Sequence, residues 1–292
     1  MTNTYTLAIG DRSYSSWSLR GWLLFDVFGI PVRTVTARLY TDELPRLLAQ
    51  FPPARTVPVM RTPDGTVVPE SLAIAEELAS RHPDAGIWPA TPAARAAARV
   101  LAAEMHAGFT ALRSHCPMNL RVSYESCDPP QAVLDDLARL ERLWSWARDT
   151  TRAAGPWLCG DYSAADAFFA PVATRIATYN LPVSATALAY VQAHLAHPSF
   201  RRWRAMGMAD GADQDFYRRD WPQRPWPGPA RLPARAVEGT EAENATCPYS
   251  GAPVTHVLDL DGRRFGFCNA FCRDKTVADP EAWPAFLALY RS

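Results

Sequence analysis

The feature that most restricts the fold is a change of hydrophobic periodicity near residue 90. Ahead of it, short β-type runs alternate with helical stretches: a strand over 6–10, a helix over 17–28 stopped by Gly29-Ile30-Pro31, a strand over 32–37, and a short helix over 42–50 ending before Pro52-Pro53. Two further runs, 57–60 and 66–68, flank Pro63-Asp64-Gly65, a hairpin signal, and a helix over 70–81 closes the unit. The order βαβαββα predicts a compact α/β domain with a mixed sheet. Beyond Pro92 the strand signals vanish. Alanine-rich helical segments over 93–113, 131–152 and 164–176 predict an all-helical domain. Within it, the run from Gly160 through Ser163 to Asp166 reads as an architectural helix start, with Ser163 as N-cap and Asp166 completing a short capping box.

Composition sets the outer bounds. A length of 292 residues suggests about two domains, and 48% hydrophobic with 21% charged residues suits a soluble chain with packed cores rather than wholesale disorder. Thirty basic and thirty acidic side chains cancel, so no global positive field favours nucleic acid or an anionic membrane, and neither is an expected partner. No run of about 18 apolar residues occurs, and Met1-Thr2-Asn3-Thr4-Tyr5 lacks the basic-then-apolar layout of a signal peptide, so a cytoplasmic protein is expected. Of the six cysteines, Cys116, Cys127 and Cys159 are scattered, whereas Cys247, Cys268 and Cys272 crowd the last 46 residues. In a reducing compartment such a cluster points to metal more than to disulfide. Five prolines between Trp221 and Pro233, followed by a polar stretch to Thr246, predict a semi-extended linker. The expected organisation is therefore an α/β domain over 1–84, a helical domain over 90–210, a linker over 211–246 and a small cysteine-rich module over 247–292.

Chemistry is expected first where the opening strand hands over to a helix. Ser13, Ser15, Ser16 and Ser18 with Tyr14 bring hydroxyls and unpaired backbone N–H groups to the positive end of a helix dipole, a place that stabilises an anion. Ser15 or Ser16 also suits a simple helix cap. Pro58 forbids an ordinary central strand, but a cis-proline at a strand's start would leave the Val57 backbone free to pair with an extended peptide. Glu70-Ser71 opens another helix, a second N-terminus able to accept a carboxylate.

Taken in order, Ser15-Ser16-Trp17-Ser18-Leu19-Arg20, Val57-Pro58, Glu70-Ser71 and the 160–166 helix start resemble the glutathione transferase family over about residues 1–210. The resemblance implies an α/β thioredoxin-like N-terminal domain plus an all-α C-terminal domain, a homodimer, and glutathione as substrate. It is nearest to the serine-type zeta and theta classes of bacterial type, with Ser15 at the catalytic position and Ser16 and Ser18 as rivals. It further implies a backbone contact from Val57 to the cysteinyl part of glutathione, Pro58 as the cis-proline, Glu70 and Ser71 around the γ-glutamyl group, and Thr56 where a lysine or glutamine often meets the glycyl end. Ser16 is the remaining implied glutathione contact. A free thiol of pKa about 8.5 is mostly protonated at neutral pH, and a serine hydroxyl plus a helix end favour its thiolate. Because residues 11–20 hold no cysteine, a mixed-disulfide thiol transferase is disfavoured.

On the helix over 93–113, His106, Phe109 and Arg113 share one face at i, i+3 and i+7. Met105, His106 and Arg113, with Trp17, are the candidates for a second-substrate pocket; an ordinary helix face is the alternative.

In the tail, 254–260 and 263–267 flank Asp261-Gly262, a favoured hairpin turn, and a helix starting at Asn269 would put Cys268 and Cys272 on one side. Three thiolates so placed suit zinc or copper(I). The segment resembles YHS/TRASH-type treble-clef modules through Cys247-Pro248-Tyr249-Ser250-Gly251, the Phe267–Cys272 run and Asp279-Pro280, which implies a small treble-clef-like zinc-finger module. The second cysteine of the first knuckle is Ser250 here, and His256 is the candidate fourth ligand, although its alternation with Val254, Leu258 and Leu260 equally suits a core histidine. A degenerate module that packs without metal stays open.

The leading expectation is a glutathione S-transferase that attacks small electrophiles with an activated glutathione thiolate. A glutathione-dependent isomerase of the maleylacetoacetate type, with Arg20 and Arg113 available for a dicarboxylate, is a variant on the same fold. A non-catalytic metal-binding or sensing protein on a transferase scaffold is the reading from another class.

Overall fold

The computed structural model describes residues 4–292. Met1, Thr2 and Asn3 lie outside the described residues, and with them most of the stretch on which the signal-peptide expectation rests. Among the described residues no helix is long and apolar enough to cross a membrane. The described residues form two compact units, the first made of those through 195 together with 215–227, the second of 196–214 and 228–292.

The first unit begins with a four-stranded mixed sheet of order β2-β1-β3-β4. Its central strand β1 (Tyr5–Ile9) runs parallel to β2 (Val32–Thr36) and antiparallel to β3 (Val59–Arg61), and β3 pairs antiparallel with β4 (Val67–Pro69). Leu7, Ala8 and Ile9 are fully buried, as befits a central strand covered on both faces. Around the sheet stand α1 (Ser16–Asp26), the short α2 (Glu43–Leu48) and α3 (Ser71–Arg81). The helical part comprises α4 (Pro92–Ala107), α5 (Thr110–His115), α6 (Gln131–Thr151), α7 (Ala164–Tyr179) and α8 (Ala185–Ala196). All of α7 is buried, since α1 and α4 both pack on it. Ser163 and Asp166 form the expected capping box: Asp166 Oδ2 accepts from Ser163 N at 3.0 Å, and Oδ1 accepts from Leu158 N and the Tyr190 hydroxyl.

The helix expected over 93–113 is in fact two. Gly108 and Phe109, the latter with φ +58°, separate α4 from α5. A Cβ on Gly108 would stand 2.9 Å from the Glu104 carbonyl oxygen, so the chain leaves α4 by a path only glycine tolerates. The Arg113 guanidinium then donates back to the carbonyls of His106 and Gly108, satisfying the end of α4.

The proline-rich stretch differs from the expected linker. Residues 215–227 belong to the first unit, with Arg224 N donating to Ser123 O at 2.8 Å and Glu125 N to Pro222 O at 2.9 Å. The prolines impose an extended path, and the N–H groups that remain are used against the helical domain. Further on, β5 (Arg235–Val237) pairs with β6 (His256–Leu260), so this end of the linker is part of a sheet.

In the second unit, β5, β6 and β7 (Arg263–Phe267) form an antiparallel sheet, with Asp261 and Gly262 turning at positive φ as the hairpin signal requires. Helices α9 (Pro198–Ala209), α10 (Ala270–Ala278) and α11 (Pro284–Arg291) complete it. The boundary expected at 210 is thus corrected: α9 packs on α10, and Ala205 joins a core of Leu258, Leu260, Phe265, Phe267 and Phe286. The tail does not stand as 46 residues alone; a helix from ahead of the linker enlarges its core.

Candidate functional site

The loop after β1 is a tight turn in which Tyr14 N and Ser15 N both donate to the Asp11 carbonyl, while Asp11 Oδ2 accepts from Leu39 N. Ser15 is the N-cap of α1, in extended conformation, and its Oγ accepts from Ser18 N at 3.3 Å. It also donates to Ser18 Oγ at 2.7 Å, and Ser18 Oγ in turn accepts from Gly10 N at 3.0 Å. The three candidate serines therefore separate. Ser18 is fully buried behind the loop, whereas Ser15 and Ser16 line a cavity of about 630 Å³. Ser16 Oγ accepts from the Arg175 guanidinium at 3.3 Å.

The same cavity is lined by Thr56 and Val57, and the Val57-Pro58 peptide bond is cis. Glu70 and Ser71 stand at the start of α3 but are not among its walls. Glu70 enters the helix with φ +73°, and the fully buried Ser71 hydroxyl makes no hydrogen bond. Non-glycine residues at such angles concentrate at functional sites. His106 Nε2 lies 3.8 Å from Glu70 Oε2. Burial holds the His106 pKa below its ordinary value, opposed by Glu70 and reinforced by Arg20 and Arg113.

The four residues expected to form a second-substrate pocket are split by the break after α4. Trp17 and Arg113 line the cavity, with the guanidinium 4.7 Å from the Trp17 ring. Met105 is fully buried in the core, and His106 stands beside Glu70 and edge-on to Trp17 instead of lining the cavity. Arg20 is buried with its guanidinium 4.3 Å over Trp17, and its Nε and Nη1 make no hydrogen bond.

Several cavity residues were not anticipated. Arg55, Arg175 and Arg219 join Arg113, and among the described lining residues none is acidic. Burial pushes the Arg175 pKa down to about 10, which still leaves it charged at neutral pH. Its Nε and Nη1 donate to the Cys116 and Pro171 carbonyls, which fixes the plane of the fork. A lone cation inside the apolar helix 164–179 was a legible signal for it. Tyr14 stacks on Tyr217 at 4.5 Å, and Tyr40 meets the Tyr217 hydroxyl at 3.2 Å. Tyr217 and Phe216 come from the segment expected to be linker, and no local pattern announces that it returns to the first unit.

In the second unit, Cys247, Cys268 and Cys272 come together, their sulfurs within 4.8 Å of one another. His256 is not among them; its Nδ1 lies 2.9 Å from Thr255 Oγ1, so the reading of His256 as fourth ligand is not met. Ser250 Oγ stands instead 3.2 Å from Cys268 Sγ. Burial raises the Cys247 pKa, but hydrogen bonds from the Cys268, Tyr249 and Ser250 backbones and the Ser250 hydroxyl outweigh it and bring it to about 7. The set of three soft donors fits zinc(II) or another thiophilic ion.

Residues 14–81 match the family model of the glutathione S-transferase N-terminal domain. A probable maleylacetoacetate isomerase of Caenorhabditis elegans is 29% identical over 178 residues, 59% of this chain and 79% of that protein. A Burkholderia glutathione transferase homologue with bound glutathione superposes with a TM-score of 0.52 at 24% identity, over 70% of this chain and 98% of that one. The fold is a glutathione transferase fold. An Omega-class glutathione transferase of Trametes versicolor, in complex with 2,4-dihydroxybenzophenone, agrees with it at a TM-score of 0.54 and 22% identity, covering 70% of this chain and 94% of that one. The family match covers the N-terminal domain, and these neighbours share the fold, a thioredoxin-like N-terminal domain with a helical domain after it.

Proposed function

We propose that the chain is a glutathione-dependent enzyme that activates the tripeptide's thiol at Ser15 for attack on a small anionic electrophile. The observation that carries this reading is that the N-terminus of α1, with Ser15 and Ser16, and Val57 ahead of a cis-proline open onto one cavity. The start of α1 offers helix dipole and backbone N–H groups to a thiolate, and each pKa unit by which they lower the thiol is about 1.4 kcal/mol. Ser15 adds a hydroxyl donor. If Ser18, its oxygen held by Gly10 N–H, donates to Ser15 Oγ instead of accepting from it, the Ser15 proton is free to turn to the sulfur. Ser16, with Arg175 behind it, is the neighbouring donor.

The remaining contacts follow from donor chemistry. The Val57 backbone suits the cysteinyl amide, the unpaired Ser71 hydroxyl at the α3 N-terminus suits the γ-glutamyl carboxylate, and the exposed Glu70 carboxylate suits its ammonium. Thr56 stands next to Val57, toward the glycyl end. Four guanidinium groups and no lining carboxylate favour an electrophile that itself carries carboxylate.

That charge pattern, with the maleylacetoacetate isomerase relative, also supports a second reading, isomerisation. In conjugation the thiolate forms a C–S bond, the leaving group departs with its electron pair, and glutathione is consumed. In isomerisation the thiolate adds to a cis double bond, the former double bond rotates, and elimination returns glutathione unchanged. The glutathione balance during turnover of a carboxylated cis-enone separates the two. Calorimetry with glutathione, and kcat/KM for Ser15→Ala beside Ser16→Ala, test the common core. Retained binding with a loss of about 10²–10³-fold in Ser15→Ala supports it. Full activity in that variant overturns the role of Ser15, and absence of glutathione binding at millimolar concentration overturns the reading as a whole.

A further inference from the structure

We propose that Cys247, Cys268 and Cys272 bind one zinc(II) ion in a three-thiolate site whose fourth position, beside Ser250, opens to solvent and lets the metal exchange. Cys268 Sγ and Cys272 Sγ are 3.9 Å apart, and the third sulfur lies within 4.8 Å of both. Two sulfurs on a tetrahedral ion with Zn–S bonds of about 2.3 Å are about 3.8 Å apart, so the site needs only a small closing movement at Cys247.

Backbone holds the ligands in place. Cys247 N donates to Ala252 O and Gly251 N to Cys247 O, which folds the first knuckle. Asn269 caps α10 by accepting from Cys272 N at 2.8 Å, so the helix start fixes Cys272 beside Cys268. Ser250 Oγ, exposed and donating to Cys268 Sγ at 3.2 Å, stands beside the open fourth position. Among the described residues no fourth Cys, His, Asp or Glu joins the group. Structural zinc sites are closed by four strong protein ligands, whereas three ligands plus water or a neutral hydroxyl leave a replaceable position.

The packing of the unit agrees with a metal that comes and goes. A closed zinc finger depends on its ion to fold. Here Phe265, Phe267, Phe286 and Trp283 form a buried core to which α9 contributes Ala205, and Arg201 clamps Asp279, so the unit keeps apolar and ionic support when the ion leaves. Binding releases thiol protons, and the ion needs no oxidant or reductant.

The test uses the full chain, loaded with zinc sulfate and desalted. Elemental analysis should find one zinc per chain, lost in Cys268→Ser. Ser250→Cys, which supplies a fourth thiolate, should slow zinc transfer to a chromophoric chelator at least about tenfold. With cobalt(II) as optical stand-in, sulfur-to-metal charge-transfer absorption should rise by about a third in Ser250→Cys, in the ratio of four thiolates to three. Failure of the unmodified chain to retain zinc, or equal transfer rates with and without Ser250→Cys, overturns the proposal; so does copper(I) retained in place of zinc. Because Ser250→Cys adds a ligand and removes none, its result stands even if Cys268→Ser fails to fold.

Discussion

Gly21 packs on Pro58 so closely that a Cβ on Gly21 would fall 2.8 Å from the proline Cγ and 2.9 Å from its Cβ. Both residues are buried, and the contact sets the distance between the helix that Ser15 caps and the peptide unit that precedes β3. Gly21→Ala should therefore act on both stability and binding. Overpacking of this kind costs about 1–3 kcal/mol, and a displacement of about 1 Å in a binding site can cost about a hundredfold. Thermal melting should show a lowered midpoint, and calorimetry a glutathione Kd raised by about tenfold or more. An unchanged Kd would mean that Pro58 yields without moving Val57.

Arg175 should discriminate between charged and neutral electrophiles. Its guanidinium is held by the Cys116 and Pro171 carbonyls, with Nη2 on Ser16, so its direction is fixed. Arg175→Lys keeps the charge and loses the planar fork. For a carboxylated electrophile kcat/KM should fall by about 10–100-fold, which is about 1.4–2.8 kcal/mol of transition-state stabilisation, while a neutral electrophile loses less. Equal losses for the two substrates would place Arg175 behind Ser16 only.

Local chemistry was legible in the sequence where a few neighbouring residues decide it. The N-cap at Ser15, the capping box of Ser163 and Asp166 and the turn at Asp261-Gly262 follow from short patterns, whereas the cis bond before Pro58 was implied by the family resemblance. The clustering of three thiols followed from a hairpin plus a helix start. The residues that escaped depend on contacts far apart in sequence. Phe216 and Tyr217 reach the cavity because a proline-rich segment docks on residues 123–125, and α9 belongs with the tail because its partners lie some seventy residues later. The break at Gly108 was visible as a glycine, but helical periodicity runs on through it, which carried Met105 and His106 into a pocket that, of the four residues expected there, Arg113 and Trp17 alone line.

Asp166 should make stability depend on pH in an unusual direction. Burial raises its pKa to about 6 from an ordinary 3.8, against the donors of Ser163, Leu158 and Tyr190. A carboxyl whose folded pKa exceeds its unfolded one binds protons more strongly in the folded chain. Its contribution is then fullest below about pH 4, declines as pH rises through about 6, and is constant above. The span corresponds to about 2–3 kcal/mol. Urea unfolding of the unmodified chain and Asp166→Asn across pH 4–8 should show a stability difference that shifts against the unmodified chain up to pH 6 and then levels off. A difference constant over the whole range would mean that the hydrogen bonds keep the carboxylate ionised throughout.

Within the second unit, Arg201 of α9 forms a two-pronged pair with Asp279 at the end of α10, with contacts of 2.8 and 2.7 Å, and reaches Glu281 at 3.4 Å. The Asp279 side chain is only 8% exposed, so removing the guanidinium strands a nearly buried carboxylate. Arg201→Met should lower the stability of this unit by about 2–4 kcal/mol, and pairing it with Asp279→Leu should recover most of the loss, because two apolar groups leave no uncompensated charge. Glutathione binding, which the proposed function assigns to residues of the first unit, should stay intact in both variants. Calorimetric melting of the full chain would then show one transition moving to lower temperature in Arg201→Met and returning in the double variant. Failure of the second substitution to restore it would mean that α9 is held by its apolar face, through Ala205 and Met206, and that the ion pair contributes little.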